Sequence, residues 1–315
     1  MSRSRRAAHS RIAVLALTAL LGTSASCGLG TGAEQFSMPA SNADVHSAAP
    51  LSAVEMEPLS TDRSMPVYWL SESDGTVRLY REFVQIPGVG DPIAASVRYM
   101  LNSKPHDTDY FNLWRPSNSI GASVSPGNMI TIDLGKKAFG ASLDRGLAER
   151  SIAQLVFTAT AAAANAGILS DGIEPSVRIQ VDGSSDFLAF GQIPLDQTFT
   201  RDSKLAAPLW VIDPQAGSTV PAGQVDFRGL SASFPGGEFW EIRRRKSMNP
   251  LKTKSESTEP VASGQLPTGG DGLDTNEFSF SHKLEAGDYT FTAWGVDATT
   301  DKRVAIESKD FTVED

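Results

Sequence analysis

The chain has 315 residues, of which 40% are hydrophobic and 21% charged, a composition typical of a globular protein with material for about two domains. Its formal net charge is −9, and the first 27 residues carry four arginines and no acid, so the remainder is at −9 − 4 = −13. Nucleic-acid binding is therefore not expected, because it needs basic surface to neutralise phosphates. The single cysteine, Cys27, excludes an intramolecular disulfide and a thiolate zinc site.

The first 27 residues have the order of an export signal. A basic head is followed by the apolar residues 12–21, and small residues then lead to Cys27. The apolar run is shorter than the ~20 residues of a spanning helix. The segment resembles a bacterial lipoprotein signal with its lipobox, which implies that the Cys27 thiol takes a diacylglyceryl group and becomes the first mature residue. The alternative is an ordinary signal peptide that is cleaved nearby and leaves the thiol unmodified.

Residues 28–64 are rich in Gly, Ala, Ser and Pro and show no apolar period, which predicts a flexible linker. No later segment is long and apolar enough to cross a bilayer. We therefore expect attachment to the membrane through lipid alone, with everything after Cys27 on the extracytoplasmic face.

Residues 65–204 are predicted to form an α+β domain in which helices pack on a mixed sheet, because strand and helix patterns alternate there. Asp74-Gly75 is a turn signal between the first two strands, and Asp91-Pro92 begins a helix because Asp can cap it and Pro fits its first position. The predicted elements are strands over 67–70 and 77–86, a helix over 92–101, paired strands within 117–134, a helix over 147–166 and a strand over 177–181.

Residues 208–315 are predicted to form an all-β, immunoglobulin-like sandwich. The helical period ends near Ala206, and apolar alternation then recurs between Gly- and Pro-rich turns. Residues 284–289 resemble the tyrosine corner of such domains, in which the hydroxyl of Tyr289 would bond back to nearby backbone. Residues 246–276 form a long polar segment between strands, and no strand is predicted within it.

The stretch from Pro66 to about Arg201 resembles the GerMN domain, a family named from sporulation and spore-germination proteins. The resemblance covers the first hairpin, both helices and the later strands. It is carried by Val67-Tyr68-Trp69-Leu70 with Asp74-Gly75, Met100-Leu101, Met129-Ile130-Thr131-Ile132-Asp133-Leu134, Gln154-Leu155-Val156-Phe157-Thr158 and Val177-Arg178-Ile179-Gln180-Val181-Asp182-Gly183.

The stretch from Trp210 to Val313 resembles the immunoglobulin-like, spore-germination-associated domain (Gmad2 type) that often accompanies GerMN in bacterial envelope proteins. It is carried by Asp213-Pro214 with Gly217, Phe227-Arg228-Gly229 and the corner from Leu284 to Phe291. The paired resemblance implies an exported, usually anchored module that is not an enzyme. Domains similar to GerMN take part in protein assembly in the sporulation envelope.

The sequence contains no motif typical of catalysis or of cofactor binding. The four histidines, at 9, 46, 106 and 282, do not have metal-ligand spacing. No nucleophile elbow, Walker loop or His-Glu-x-x-His motif occurs. A carboxylate pair of the glycosidase type stays open as an alternative, because acidic residues are plentiful. We expect no enzyme activity, no cofactor and no metal.

Two groups of residues are candidates for binding. Arg243, Arg244, Arg245 and Lys246 form a basic segment, continued by Lys252 and Lys254, that could contact lipid headgroups or anionic wall polymers. The alternative is a polar edge strand and loop whose charges deter sheet-to-sheet aggregation.

The second group is Phe111, Trp114 and Arg115, in the loop between the first helix and the second hairpin. An exposed Trp beside Arg suits an interface, and the alternative is a Trp folded back over the sheet edge. Together the patterns predict a lipid-anchored, non-catalytic binding or scaffolding protein of the bacterial cell envelope with an envelope protein as partner. The competing hypothesis is a protein that binds or modifies cell-wall glycan such as peptidoglycan.

Overall fold

The computed structural model describes residues 64–86, 90–245, 258–267 and 275–315. These residues form a β-rich fold with several sheets and two α-helices. The strands are β1 (Ser64–Ser73), β2 (Thr76–Gln85), β3 (Ile120–Ser125), β4 (Met129–Leu134), β5 (Ser176–Val181), β6 (Leu188–Ala189), β7 (Ile193–Pro194), β8 (Thr198–Phe199), β9 (Leu209–Asp213), β10 (Thr219–Pro221), β11 (Gly223–Ala232), β12 (Glu238–Arg245), β13 (Thr258–Gln265), β14 (Thr275–Leu284), β15 (Gly287–Asp297) and β16 (Lys302–Glu314).

The two helices begin at aspartates that cap their free N–H groups. In α1 (Pro92–Asn102), the Asp91 carboxylate accepts from Ala94 N at 2.7 Å, and Pro occupies the first turn as predicted. In α2 (Arg145–Asn165), Asp144 accepts from Leu147 N at 3.0 Å, so the helix begins slightly before the predicted residue 147. Neither helix is long and apolar enough to cross a membrane, and no other helix of the described residues is.

The first hairpin is covered on both faces. β1 and β2 pair antiparallel around Asp74 and Gly75, whose φ angles of 53° and 69° are those of the predicted tight turn. Val67 and Trp69 face the larger apolar cluster, whereas Tyr68 and Leu70 join a smaller one with Phe157 and other residues of α2. Two apolar faces explain why this strand pair lacks strict polar alternation.

The second hairpin belongs to a four-stranded mixed sheet in the order β3-β4-β5-β8. β3 pairs antiparallel with β4, and β4 pairs parallel with β5 after the chain has passed through α2. This sheet carries the alternating apolar residues that predicted its strands, and β3 forms one of its outer edges. Residues 188–199 contribute only the two-residue strands β6, β7 and β8.

After Ala206 the described residues form two sheets, β14-β11-β9 and β10-β16-β15-β12-β13. The tyrosine corner is present, because the Tyr289 hydroxyl donates to Glu285 O at 2.8 Å. The absence of a strand between 246 and 276 was a wrong expectation, since β13 lies there at the outer edge of the larger sheet. Its mostly exposed residues, which include Pro260 and Gly264, lack the apolar alternation that marks half-buried strands.

Apolar residues form separate clusters on the two sides of Pro208. The buried residues of the clusters before it lie within 67–207 and those of the one after it within 209–313, although the half-buried Trp210 packs against the larger of the earlier clusters. All described residues nevertheless belong to one compact unit, Ala48–Asp315. The division into domains over 65–204 and 208–315 stays a prediction, as does the immunoglobulin-like assignment.

Candidate functional site

The loop between α1 and β3 carries the predicted residues Phe111, Trp114 and Arg115. Trp114 is 5% exposed, and its ring packs edge-on against Phe139 at 5.0 Å and Phe190 at 4.9 Å. Its indole N–H donates to Ser151 O at 3.2 Å. The side chain thus lies folded back in the core, as in the alternative given above, rather than exposed at a surface.

The other two residues of that group, Phe111 and Arg115, have surroundings different from those of Trp114. Phe111 is half-buried and exchanges backbone hydrogen bonds with Leu70 at 3.0 and 2.7 Å, so it fixes the loop against the edge of β1. Arg115 is exposed, and its backbone N–H donates to Ala138 O at 3.0 Å. Phe111 and Trp114 nevertheless both line one groove, whereas Arg115 does not belong to its lining.

This loop and the end of α1 enclose a groove of about 520 Å³. Its lining is more apolar than polar, with residues from Leu101 to Pro116 as walls. Asp107 and Tyr110 belong to the lining, and both also contact the C-terminal strand β16. The groove is consequently bounded by side chains that join the α1–β3 loop to the last strand of the chain.

Behind the groove lies a buried ionic cluster of Asp107, Tyr110, Glu307 and Lys309. Lys309 Nζ is 2.6 Å from an Asp107 carboxylate oxygen and 2.6 Å from a Glu307 carboxylate oxygen. The Tyr110 hydroxyl donates to Glu307 and accepts from Lys309. No side chain of the three charged residues is more than 7% exposed. Each group thus has an ionic or hydrogen-bonding partner within the cluster, as buried charges require.

Burial and neighbouring charges shift the pKa values of Lys309, Glu307 and Tyr110. Burial opposes a proton on Lys309, but the charges of Glu307 and Asp107 outweigh it and raise the pKa of Lys309. Burial also raises the pKa of the Glu307 carboxyl, although Lys309 opposes this. Burial and the Glu307 charge raise the pKa of Tyr110 well above its ordinary value. Lys309 is therefore a cation and Tyr110 a neutral phenol at pH 7.

Glu82 fixes the other side of the loop. It is 4% exposed, and its two carboxylate oxygens accept from the backbone N–H groups of His106 at 3.1 Å and Asp107 at 2.8 Å. These charge-assisted bonds hold the chain at the residue that contacts Lys309. The loop is thereby attached to both β2 and β16.

No sequence pattern had predicted this cluster, although β16 contains a signal for it. Residues 307, 309, 311 and 313 all have one parity, and the apolar Phe311 and Val313 among them are buried. Alternation places Glu307 and Lys309 on the same buried face, where a charged side chain must have a partner. The identity of those partners, about 200 residues earlier in the chain, has no local signal.

The described part of the basic segment lies on β12 and makes intramolecular contacts. Arg243 Nε donates to Thr258 Oγ1 at 2.8 Å, Arg244 donates to Ala286 O at 2.7 Å, and Arg245 donates to Asp310 at 2.7 Å. β12 lies between β15 and β13 and is therefore an inner strand of its sheet. The alternative that these arginines lie on an edge strand is wrong, because the edge strand is β13. Lys246, Lys252 and Lys254 lie outside the described residues, as does Cys27.

Among the described residues no group of three or more His, Asp and Glu side chains has an arrangement suited to a metal ion. The buried carboxylates Asp107 and Glu307 share Lys309 instead. The groove therefore offers an apolar surface with a few fixed polar groups.

Comparison with known proteins gives similarity to solved structures only. No protein-family model and no curated protein matches the chain. The tandem GerMN domains of the sporulation protein GerM from Bacillus subtilis are similar, with 16% identity over 45% of this chain and 47% of that chain and a TM-score of 0.35. The first GerMN domain of that protein is 10% identical over 44% of this chain and 97% of its own, with a TM-score of 0.34.

CopC from Methylosinus trichosporium OB3b is 17% identical over 34% of this chain and 93% of its own length, with a TM-score of 0.23. The chain spans about half the length of the tandem-domain structure. At these values no function, ligand or partner is carried over to this chain.

Proposed function

We propose that this chain is a non-catalytic binding or scaffolding protein of the bacterial cell envelope, held at the extracytoplasmic face of the membrane by a lipid on Cys27. The groove beside the buried ionic cluster is the observation that supports binding. Its walls are mainly apolar, and its charged neighbours are paired with one another rather than directed at a reacting molecule. A site fixed in this way suits recognition of a partner's side chains.

The order of residues 1–27 supports the location. A lipid there confines the protein to a layer beside the membrane, which raises its effective concentration for envelope partners. Residues 28–64 would give the folded part reach from the bilayer. The envelope partner is proposed to be a protein, since an apolar groove with few polar groups matches apolar side chains better than sugar hydroxyls.

The location is tested by fractionating cells that express the full chain with Cys27→Ser. We expect the variant to leave the membrane fraction or to accumulate unprocessed, because no thiol remains to accept the lipid. Ser26→Ala is the matched control, which keeps the thiol and should remain in the membrane fraction. Membrane retention of Cys27→Ser with normal maturation would show that the anchor is elsewhere.

The binding role is tested by crosslinking on intact cells. A photo-reactive amino acid at Thr108, an exposed residue of the groove wall, should capture an envelope protein that the same group at the exposed Thr299 does not capture. Mass spectrometry identifies the captured species. If only wall glycan is crosslinked to Thr108, the glycan-binding hypothesis is favoured over a protein partner.

The glycan or wall-polymer alternative would use the basic segment. Because Arg243, Arg244 and Arg245 already have partners in the fold, we expect Gln at all three positions to leave sedimentation with anionic vesicles or wall polymer unchanged. A matched control replaces the exposed Lys136 and Lys137 by Gln. Loss of sedimentation in the triple variant alone would instead support the alternative.

A further inference from the structure

Among the strands that the structure describes, none pairs with the outer edge of β3. β3 pairs with β4 on one side. Within the described part of the chain, residues 120–125 hydrogen-bond to β4 and to no other element. Every second residue of an edge strand directs its N–H and C=O away from the sheet, so this edge has the groups needed to pair with another strand.

β3 also lacks the features that prevent pairing at sheet edges. Other edge strands of the described residues carry them: β10 ends in Pro221, β13 contains Pro260, and β14 carries Lys283. The sequence of β3 is Ile-Gly-Ala-Ser-Val-Ser, without charge or proline over six residues. A neutral, regular edge of this kind is a template for another extended strand.

The side chains of β3 allow close approach and set the register. Ile120, Ala122 and Val124 are half-buried, whereas Gly121, Ser123 and Ser125 are exposed and small. In an antiparallel pair of two β3 strands, residues of equal parity must be opposite each other to keep the apolar side chains on one face. That condition is met when Ser123 lies opposite Ser123 of the second copy.

The charges at the two ends of β3 favour a second copy over other partners. At its start, Gly135 N donates to Ser119 O at 3.0 Å, which places the exposed Lys136 and Lys137 at that end beside Asp133 and Asp182. At its other end, Asn128 donates to Ser170 O and Ile173 O, which places a loop with the exposed Asp171 and Glu174 there. The first end thus carries carboxylates as well as lysines, whereas the loop at the second end presents only carboxylates, and antiparallel pairing brings Lys136 and Lys137 of one copy beside Asp171 and Glu174 of the other.

We propose that two copies of this chain associate through their β3 edges, antiparallel about a two-fold axis, so that their four-stranded sheets become continuous. A two-fold pairing uses both open edges at once and leaves neither for further growth. The contact is smaller than the ~1,600 Å² of a standard interface, so the dimer is weak in dilute solution. Its end contacts are ionic, and added salt reduces its population. The dimer does not depend on the proposed lipid anchor or on the groove.

The test is photo-crosslinking of the full chain in its native membranes. A photo-reactive amino acid at Ser125 should give a species of twice the mass of the uncrosslinked chain in the same membranes, with residues 120–125 of both copies in the crosslinked peptides. Ser123→Lys should lower the crosslinked fraction about tenfold, because like charges then lie directly opposite. Ser279→Lys, on the exposed edge of β14, is the matched control and should leave it unchanged.

Both lysine variants are exposed, and their melting temperatures, expected within about 2 °C of the parent, establish that they fold. Three results overturn the proposal. They are the absence of the double-mass species, a crosslink from Ser125 to another part of the second copy, and a crosslink to a different protein.

Discussion

Lys309 and Asp107 form a buried ion pair of 2.6 Å across 202 residues of sequence. The Lys309 side chain is 3% exposed and that of Asp107 is 7% exposed. Glu307 completes the contact from the same strand as Lys309. The last strand of the chain is thus attached to the α1–β3 loop by charges that have little access to water.

Lys309→Met should destabilise the protein strongly. The substitution leaves Asp107 and Glu307 as buried carboxylates without their cation, a change that costs about 3–5 kcal/mol in other proteins. Chemical denaturation measures the free energy of unfolding. Arg228→Met is the control, because the Arg228–Asp213 pair is exposed and should cost about 0–1 kcal/mol. Equal losses in the two variants would contradict a special role for the buried pair.

Alkaline pH should destabilise the protein through the same cluster. Folding raises the pKa of both Lys309 and Tyr110, so the folded protein keeps protons that the unfolded chain releases near pH 10. The stability from these protons is fully present below their ordinary pKa values and is lost as the pH rises above them. The free energy of unfolding should therefore fall as the pH rises above about 10, by up to ~1.4 kcal/mol per pH unit for each group.

Tyr110→Phe isolates one of those groups. The variant keeps the ring but has no phenolic proton to hold, so its free energy of unfolding should fall less steeply above pH 10 than that of the parent. Its stability at pH 8 is also lower, and the slope rather than the absolute value is the readout. Identical slopes in the two proteins would show that Tyr110 is not linked to the alkaline loss.

Local patterns predicted the elements but not the contacts between distant elements. The Asp74-Gly75 turn, the Asp91 cap and the Tyr289 corner each depend on residues close in sequence, and the structure has all three. The cluster at Lys309 depends on residues about 200 positions apart, for which one sequence offers no pairing rule. Trp114 illustrates a second limit of prediction from sequence. Its position in a loop does not tell whether the side chain is exposed to solvent or buried against the core.

Asn128 should be important for the turn between β3 and β4. It is 2% exposed, its side chain makes three hydrogen bonds to Ser170 and Ile173, and its φ is 57°. Asn128→Ala removes these three hydrogen bonds. It also places at positive φ an alanine, which has a Cβ but no polar side chain. We expect a loss of about 2–4 kcal/mol in the free energy of unfolding.

Asn128→Gly separates the two causes, because Gly accepts positive φ but makes no side-chain bond. It should be more stable than Asn128→Ala by about 1 kcal/mol and still less stable than the parent. Asn118→Ala, at an exposed position, should have almost no effect. If the Gly variant matched the parent, the hydrogen bonds to the 170–173 loop would contribute little.

Gly229→Ala should disrupt the contact between β11 and its neighbours β9 and β14. A Cβ at residue 229 would overlap the ring of Phe278 and the carbonyl oxygen of Trp210. Rotation of a side chain could relieve the first overlap, but the second involves backbone and requires β9 to shift. No local pattern predicts this requirement, because it depends on Trp210 and Phe278, which lie on other strands.

The expected loss in the free energy of unfolding for Gly229→Ala is about 1–3 kcal/mol or more, as for other overpacked sites. Gly121→Ala is the matched control in an antiparallel strand, since its added Cβ meets nothing closer than the Asp133 Cβ at 3.7 Å. That variant should stay within about 0.5 kcal/mol of the parent. Chemical denaturation compares the two, and equal stability of both variants would show that β9 moves away from β11 at little cost.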